Sequence, residues 1–169
     1  MLDISADLKD LLRLLIKHQV RFAVCGGHAV AFYGFVRATM DLDVLILPEK
    51  ENATRLMRAL DEFGFGKAGI PETAFQREGS VISLGAQPHQ VDLLTSISKM
   101  PTADILEASQ EVALWGMTLR VISVQDLLHA KKEAGRAKDK IDYHELLALH
   151  PLPAKNKRRS SPRKRPNAS

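Results

Sequence analysis

Two aspartates stand one residue apart in "MDLDVLILP", at positions 41 and 43, in a segment otherwise written as a buried strand. Successive side chains on a strand point to opposite faces. Asp41 and Asp43 therefore share a face, about 7 Å apart along the strand at ~3.3 Å per residue, and Leu42 and Val44 turn to the core. Two like charges on one face repel, and a strand tolerates them at its end or beside a cation. An oxygen-rich donor set of this kind suits a hard ion such as Mg²⁺. A solvent-facing strand also alternates. Here "VLIL" continues apolar on both faces, so the strand is buried beyond Asp43. The acids then mark its mouth, where α/β sites commonly lie.

Two further parts belong with this pair. "RFAVC" is a short apolar strand that runs into Gly26 and Gly27 and then into a helix. Free backbone N–H groups at such a turn attract phosphate, and glycine lets a ligand approach the backbone closely. A tight turn alone would also use Gly-Gly; its value is its position, since the following helix leads straight back to the acidic strand. Asp92 in "HQVDLLTSI" is a lone acid between Val91 and Leu93. Asp is a poor strand residue. At an edge it would be unremarked; beside the pair it is a third carboxylate, a general base or a shared ligand in a two-metal displacement. Arg37, four residues before Asp41, is a candidate cation, with an ion pair to an acidic neighbour as its alternative. Lys131, Lys132, Arg136 and Lys138 are also candidates, against the plainer reading that they stabilise a helix C-terminus. Cys25 reads as a small buried hydrophobe, and His28 as a helix-surface residue. Met57, Phe63, Phe65 and Trp115 read as core.

The elements that must position these residues follow from periodicity and punctuation. "SADLKDLLRLLIKH" has helical apolar spacing with Ser5 as cap. "HAVAFYGF" is a helix of about two turns weakened by Gly34, and "EKENATRLMRALDEFG" is an amphipathic helix ended by Gly64. "TAFQREG" and "SVISLGA" suggest paired strands, and "HQVDLLTS" is another strand. "TADILEASQ" is helical, and "VALWGMTLRVIS" is a hairpin around Gly116. "SVQDLLHAKKEAG" is a helix capped at Ser123 and stopped at Gly135, followed by a last helix before Pro151. Strands and helices alternate irregularly. The fold class is therefore α+β, a mixed sheet flanked by helices with a helical C-terminal end, and not a doubly wound parallel sheet.

The 169 residues suffice for one domain, expected over 1–150. With no run of eighteen apolar residues, no membrane span is expected. The single cysteine excludes an internal disulfide. No secretory signal pattern is evident at the start, so the cytoplasm is the expected compartment. The net charge of +4 is unevenly distributed. Residues 155–169 carry seven Lys and Arg and no acid, whereas the rest carries 17 basic and 20 acidic residues, a net of −3. A basic segment over 151–169 lacking apolar residues is expected to be a disordered tail. It either contacts phosphate backbones without sequence preference or is simply solvated.

"CGGHAVAFYGFVRATMDLDV" resembles the signature of the DNA polymerase β-like nucleotidyltransferase superfamily: an apolar residue, Gly, Gly or Ser, a spacer, then Asp-apolar-Asp-apolar. Cys25, Gly26 and Gly27 fill the first positions, His28 to Met40 the spacer, and Asp41 to Val44 the rest; Asp92 fits the third acid, on a later strand. Arg37 and Thr39 before the acids look like the small bacterial and archaeal branch of minimal nucleotidyltransferases, abortive-infection and toxin–antitoxin toxins and lincosamide-type resistance enzymes. "SVQDLLHAKKEAGRAKDKIDYHEL" resembles its helical ending, where a lysine reaches the triphosphate. The resemblance covers about Phe22 to Leu149. It departs at Gly27, where Ser is common, so a hydroxyl contact to phosphate would be missing. It implies that Asp41 and Asp43, with Asp92, hold Mg²⁺ in a two-metal site and that Asp92 activates the acceptor hydroxyl. It also implies that Gly26, Gly27, Arg37, Thr39, Lys131 and Lys132 take the NTP. An NMP would pass to an acceptor such as RNA or tRNA, with pyrophosphate leaving. A cognate antitoxin is the partner the branch implies. The alternative is a fold that only binds nucleotide or RNA within such a pair.

Overall fold

A computed structural model of the protein describes residues 2–153. The expected basic tail lies outside the described residues, apart from its first three positions. Helix α1 (Ala6–Lys17) opens with the Ser5 hydroxyl accepting from the Leu8 amide at 3.3 Å, and it buries Leu8, Leu11, Leu12 and Leu15. Such a cap satisfies one of the amides that a helix start leaves without a partner. Strand β1 (Phe22–Cys25) is buried throughout and runs directly into α2 (Gly26–Phe32). Next come β2 (Asp41–Ile46), α3 (Lys50–Leu60), β3 (Val81–Leu84), β4 (Gln90–Leu94) and α4 (Thr102–Ala108). The chain ends with the hairpin β5 (Gln110–Leu114) and β6 (Met117–Val121), then α5 (Val124–Ala134) and α6 (Ala137–Leu149).

The six strands form one sheet in the order β3-β4-β2-β1-β6-β5. The pairs β2/β4 and β1/β6 are parallel and the other three are antiparallel, so the sheet is mixed. The most buried strands lie at its centre. Leu42, Val44, Leu45 and Ile46 of β2 are all fully buried, as is Val24 of β1. This accounts for the apolar run after Asp43, because a central strand is covered on both faces. Among the described residues no helix is long and apolar enough to cross a membrane.

Three expectations change. "TAFQREG" is not a strand. Glu72–Phe75 forms a short turn of helix, and Phe75 is drawn fully into the core, which an edge strand would not allow; β3 pairs with β4 instead. Helix α2 begins at the glycines and stops at Phe32, because Gly34 takes a left-handed φ of 109°. His28 lies on the inner face of α2, only 5% exposed, with its ring edge-on to Trp115 at 5.3 Å. The caps predicted at Ser123 and Gly135 are present. Ser123 accepts from the Asp126 amide, and Gly135 closes α5 with φ 64°.

Candidate active site

The parallel pairing of β2 with β4 sets Asp43 opposite Asp92 and Asp41 opposite Gln90. The antiparallel pairing of β1 with β2 sets Cys25 opposite Asp43. Side chains of register partners lie on one face of a sheet. Two carboxylates therefore sit side by side on neighbouring strands, the third is two residues along, and the β1–α2 turn borders them. The turn is shaped to admit the acids. Gly26 has φ 60°, and a Cβ there would overlap the Asp43 carboxylate. A Cβ on Gly27 would come to 2.5 Å from the Thr39 hydroxyl. Both glycines are thus required by close approach.

None of the three aspartates makes an ion pair among the described residues. Burial raises the Asp43 carboxyl above its ordinary value, and the charges of Asp92 and Asp41 push it the same way. The Gly27 backbone amide and Lys131 act in the opposite sense. A carboxylate with that much uncompensated negative charge around it is a seat for a cation. The donor set consists of oxygens, which is Mg²⁺ chemistry. In donor type, though not in convergence, the residues suit a hard divalent ion. Among the described residues no three carboxylate, imidazole or thiol groups converge at ligand distance. The outer acids are engaged elsewhere: Gln87 Nε2 donates to Asp41 Oδ1 at 3.2 Å and Gln90 Nε2 to Asp92 Oδ1 at 2.9 Å.

A cleft of ≈ 280 Å³ opens beside Asp43 and Gly26. Leu94, Ile97, Ile122 and Leu127 line its apolar part, and Lys131, Arg136 and Asp139 form its charged wall. That wall is a knot of ion pairs that ties α6 to α5 and to the segment before β2. Arg37 forks onto Asp142, with Nε and one terminal nitrogen each at 2.6 Å from a carboxylate oxygen. Lys131 Nζ lies 3.0 Å from Asp139 and 2.9 Å from Asp142. Arg136 Nε is 2.6 Å from Asp139. Asp139 and Asp142 are almost fully buried. Burial alone would raise both carboxyls, but the cations at hydrogen-bond distance outweigh it and hold both below their ordinary value. Removing one partner from such a buried pair costs about 3–5 kcal/mol, because it strands a charge. Arg136 is the one exposed cation of the knot, so solvent screens its share.

The structure thus gathers Gly26, Gly27, Thr39, Asp41, Asp43 and Asp92 around one strand end, with Lys131 across the cleft. Arg37 is there too, but its guanidinium is committed to Asp142. Thr39 turns its hydroxyl to the Asp41 carbonyl at 3.3 Å and packs against Gly27. Lys132 is not brought to the cleft. It is exposed and lines a separate depression with His129 and Tyr143, because the residue after a core-facing helix position points away. Sequence reasoning missed Gln87, Gln90, Asp139 and Asp142. The last two carried a signal: acids three apart in "KDKID", one turn beyond a lysine-bearing helix, repeat on one helix face.

Several solved structures share this fold. The candidate nucleotidyltransferase TM1012 of Thermotoga maritima superposes with a TM-score of 0.54 at 16% identity, covering 83% of this chain and 90% of that one. An antigenic nucleotidyltransferase-like protein of Paracoccidioides brasiliensis gives 0.52 at 16% identity, covering 86% and 77%. The antibiotic-resistance factor ANT(2'')-Ia gives 0.52 at 14% identity, covering 84% and 81%. The same factor has also been solved in complex with adenylyl-2''-tobramycin. At these identities the likeness concerns the fold. No curated protein matches the sequence. The family described as "Nucleotidyl transferase of unknown function (DUF2204)" matches residues 4–156, nearly the whole folded body with the three acids inside it, and the chain belongs to that family.

Proposed function

We propose that the protein transfers an NMP from an NTP to an acceptor hydroxyl, releasing pyrophosphate, with the chemistry centred on Asp41, Asp43 and Asp92. The observation that carries this reading is the register of Asp43 with Asp92 on adjacent parallel strands, at a turn whose glycines leave room for the carboxylate. The three aspartates would hold Mg²⁺, which when bound stabilises the negative charge that spreads over the phosphoryl oxygens. The side-chain-free turn at Gly26 and Gly27, next to Asp43, would take the phosphates. Lys131, fixed by Asp139 and Asp142, offers a preorganised positive charge across the cleft. Asp92 accepts the acceptor's proton at the carboxylate oxygen not engaged by Gln90.

The acceptor is read as RNA or tRNA from the seven basic charges of residues 155–169. A reducing, cytoplasmic setting suits the lone buried thiol of Cys25. A cognate antitoxin partner rests on the resemblance to the small prokaryotic branch alone.

The test is incubation with each α-labelled NTP and Mg²⁺, together with total tRNA, extract protein or small-molecule extract. Label should move to one acceptor class with the wild type and to none with the Asp41→Asn/Asp43→Asn protein. Equal labelling by both proteins would sink the assignment of the acids.

A further inference from the structure

We propose that Arg136 is the exchangeable phosphate-binding cation of the cleft: Asp139 parks its guanidinium at the wall in the free protein, and an incoming polyphosphate takes it over. This rests on the nucleotide reading given above and adds a residue and a mode of binding to it.

The three cations at this wall differ in freedom. Arg37 is held through two nitrogens at 2.6 Å by Asp142, and its own side chain is only 16% exposed, so drawing it away would break a buried bidentate pair and uncover its guanidinium. Lys131 has a side chain only 9% exposed and bridges Asp139 and Asp142. It can act on a ligand as a fixed charge but cannot leave. The Arg136 side chain is 78% exposed. If it departs, Asp139 keeps Lys131 Nζ at 3.0 Å, so no buried charge is left alone, and the guanidinium is already hydrated. Exchange therefore moves a solvated cation away from a carboxylate that keeps a second one.

Position and chemistry point the same way. Arg136 lines the cleft together with Gly26 and Asp43. The field of Asp43 reaches it: Asp139 does most to raise the guanidinium pKa, and Asp43 adds to it. A planar guanidinium that forks onto a carboxylate forks equally onto a phosphate, which carries more charge. Asp139 at the cleft wall would repel a triphosphate if bare. Lys131 neutralises it, so the site stays permissive when Arg136 moves across.

Calorimetric titration of the full chain with each of the four Mg·NTPs and the matching NMPs tests this, beside thermal melts. Arg136→Ala and Arg136→Gln should weaken the best-bound NTP by about tenfold or more, change NMP affinity by less than about twofold, and leave Tm nearly unchanged. Asp139→Asn should leave NTP affinity equal or higher while lowering Tm, because Lys131 loses a partner. Wild-type NTP affinity in both Arg136 variants would overturn the proposal. So would equal losses for NTP and NMP, or a large fall in Tm without loss of NTP binding. A wild-type protein that binds no NTP would instead remove the nucleotide reading and this proposal together.

Discussion

Asp43 of β2 and Asp92 of β4 are register partners across a parallel strand pair, two carboxylates side by side, the first of which lines the cleft. A fold selected for stability alone would replace one of them. Burial raises the Asp43 carboxyl, and the repulsion of the like charges on Asp92 and Asp41 adds to it. The pairing makes sense when a cation is part of the working state.

The first prediction follows from that repulsion. For a carboxyl whose folded-state pKa is raised, stability falls as pH climbs from the unfolded value through the folded one. The wild type carries that penalty wherever the carboxyl is ionised in the folded protein. Asp43→Asn should therefore raise Tm without metal, on the order of 2–4 °C per kcal/mol relieved, while abolishing both nucleotidyl transfer and Mg²⁺-dependent stabilisation. Melts with EDTA and with Mg²⁺ check it. A lower Tm in EDTA, or retained transfer, would count against a metal role for Asp43.

The second concerns the turn. A side chain at Gly27 meets the Thr39 hydroxyl at 2.5 Å and Cβ at 2.9 Å. Gly27→Val should displace Thr39 and crowd the phosphate approach, weakening NTP binding about tenfold. Adding Thr39→Ala relieves the clash but leaves the new side chain over the backbone amides, so binding should stay weak. If the double variant regains wild-type affinity in a nucleotide titration, Gly27 serves packing against Thr39 alone.

The sequence carried the acids and their faces because a strand's alternation is fixed by its backbone. Asp41, Leu42, Asp43 and Val44 could be assigned to faces without a structure, as could the capped α1 and α5 and the Gly116 hairpin. It did not carry the register that sets Asp43 against Asp92, because strand pairing is a long-range choice among edges. Nor did it show that Lys131 is buried. A lysine in the last turn of a helix reads as a solvated cation until Asp139 and Asp142, on the next helix, are folded over it. His28 misled for a related reason: α2 is so short, and so close to the β5–β6 turn, that it is buried from its second residue, Gly27, through His28 to Ala31.

The third prediction concerns His28. Burial lowers its pKa, with the positive charge of Arg37 acting in the same direction, and its Nδ1 is buried without a hydrogen-bond partner. A histidine with a depressed folded-state pKa binds more protons when unfolded. Its share of stability is present above the unfolded value near 6.5 and is lost as pH falls through the folded one. Asp139 and Asp142, held low by their cations, lose theirs further down, below the usual carboxylate value of 3.8. Tm should thus begin to fall as pH drops below about 6.5, in the histidine range. His28→Phe, which keeps a ring against Trp115 and cannot charge, should flatten that fall. Melts of both proteins at pH 7.5 and 5.5 decide. An equal drop in the variant would place the acid sensitivity elsewhere.

The last prediction separates acceptor from donor. The folded body is net negative, whereas residues 155–169 carry seven positive charges and no acid. A negative body does not attract RNA, so if RNA is the acceptor these residues supply much of the non-specific attraction. Each phosphate they neutralise steepens the dependence of log affinity on log salt by about 0.7 on single strands. Deleting residues 155–169 should weaken RNA binding mainly at low salt and flatten that slope. The residues that would hold the NTP lie between Gly26 and Asp142, so NTP affinity should not change. Fluorescence titrations of a labelled tRNA across a salt series, beside NTP titrations of the same two proteins, provide the measurement. An unchanged RNA slope would remove the basic segment from recognition and leave a small molecule or a protein as the stronger acceptor. Loss of NTP binding on truncation would show that the site extends beyond α6 into the basic segment.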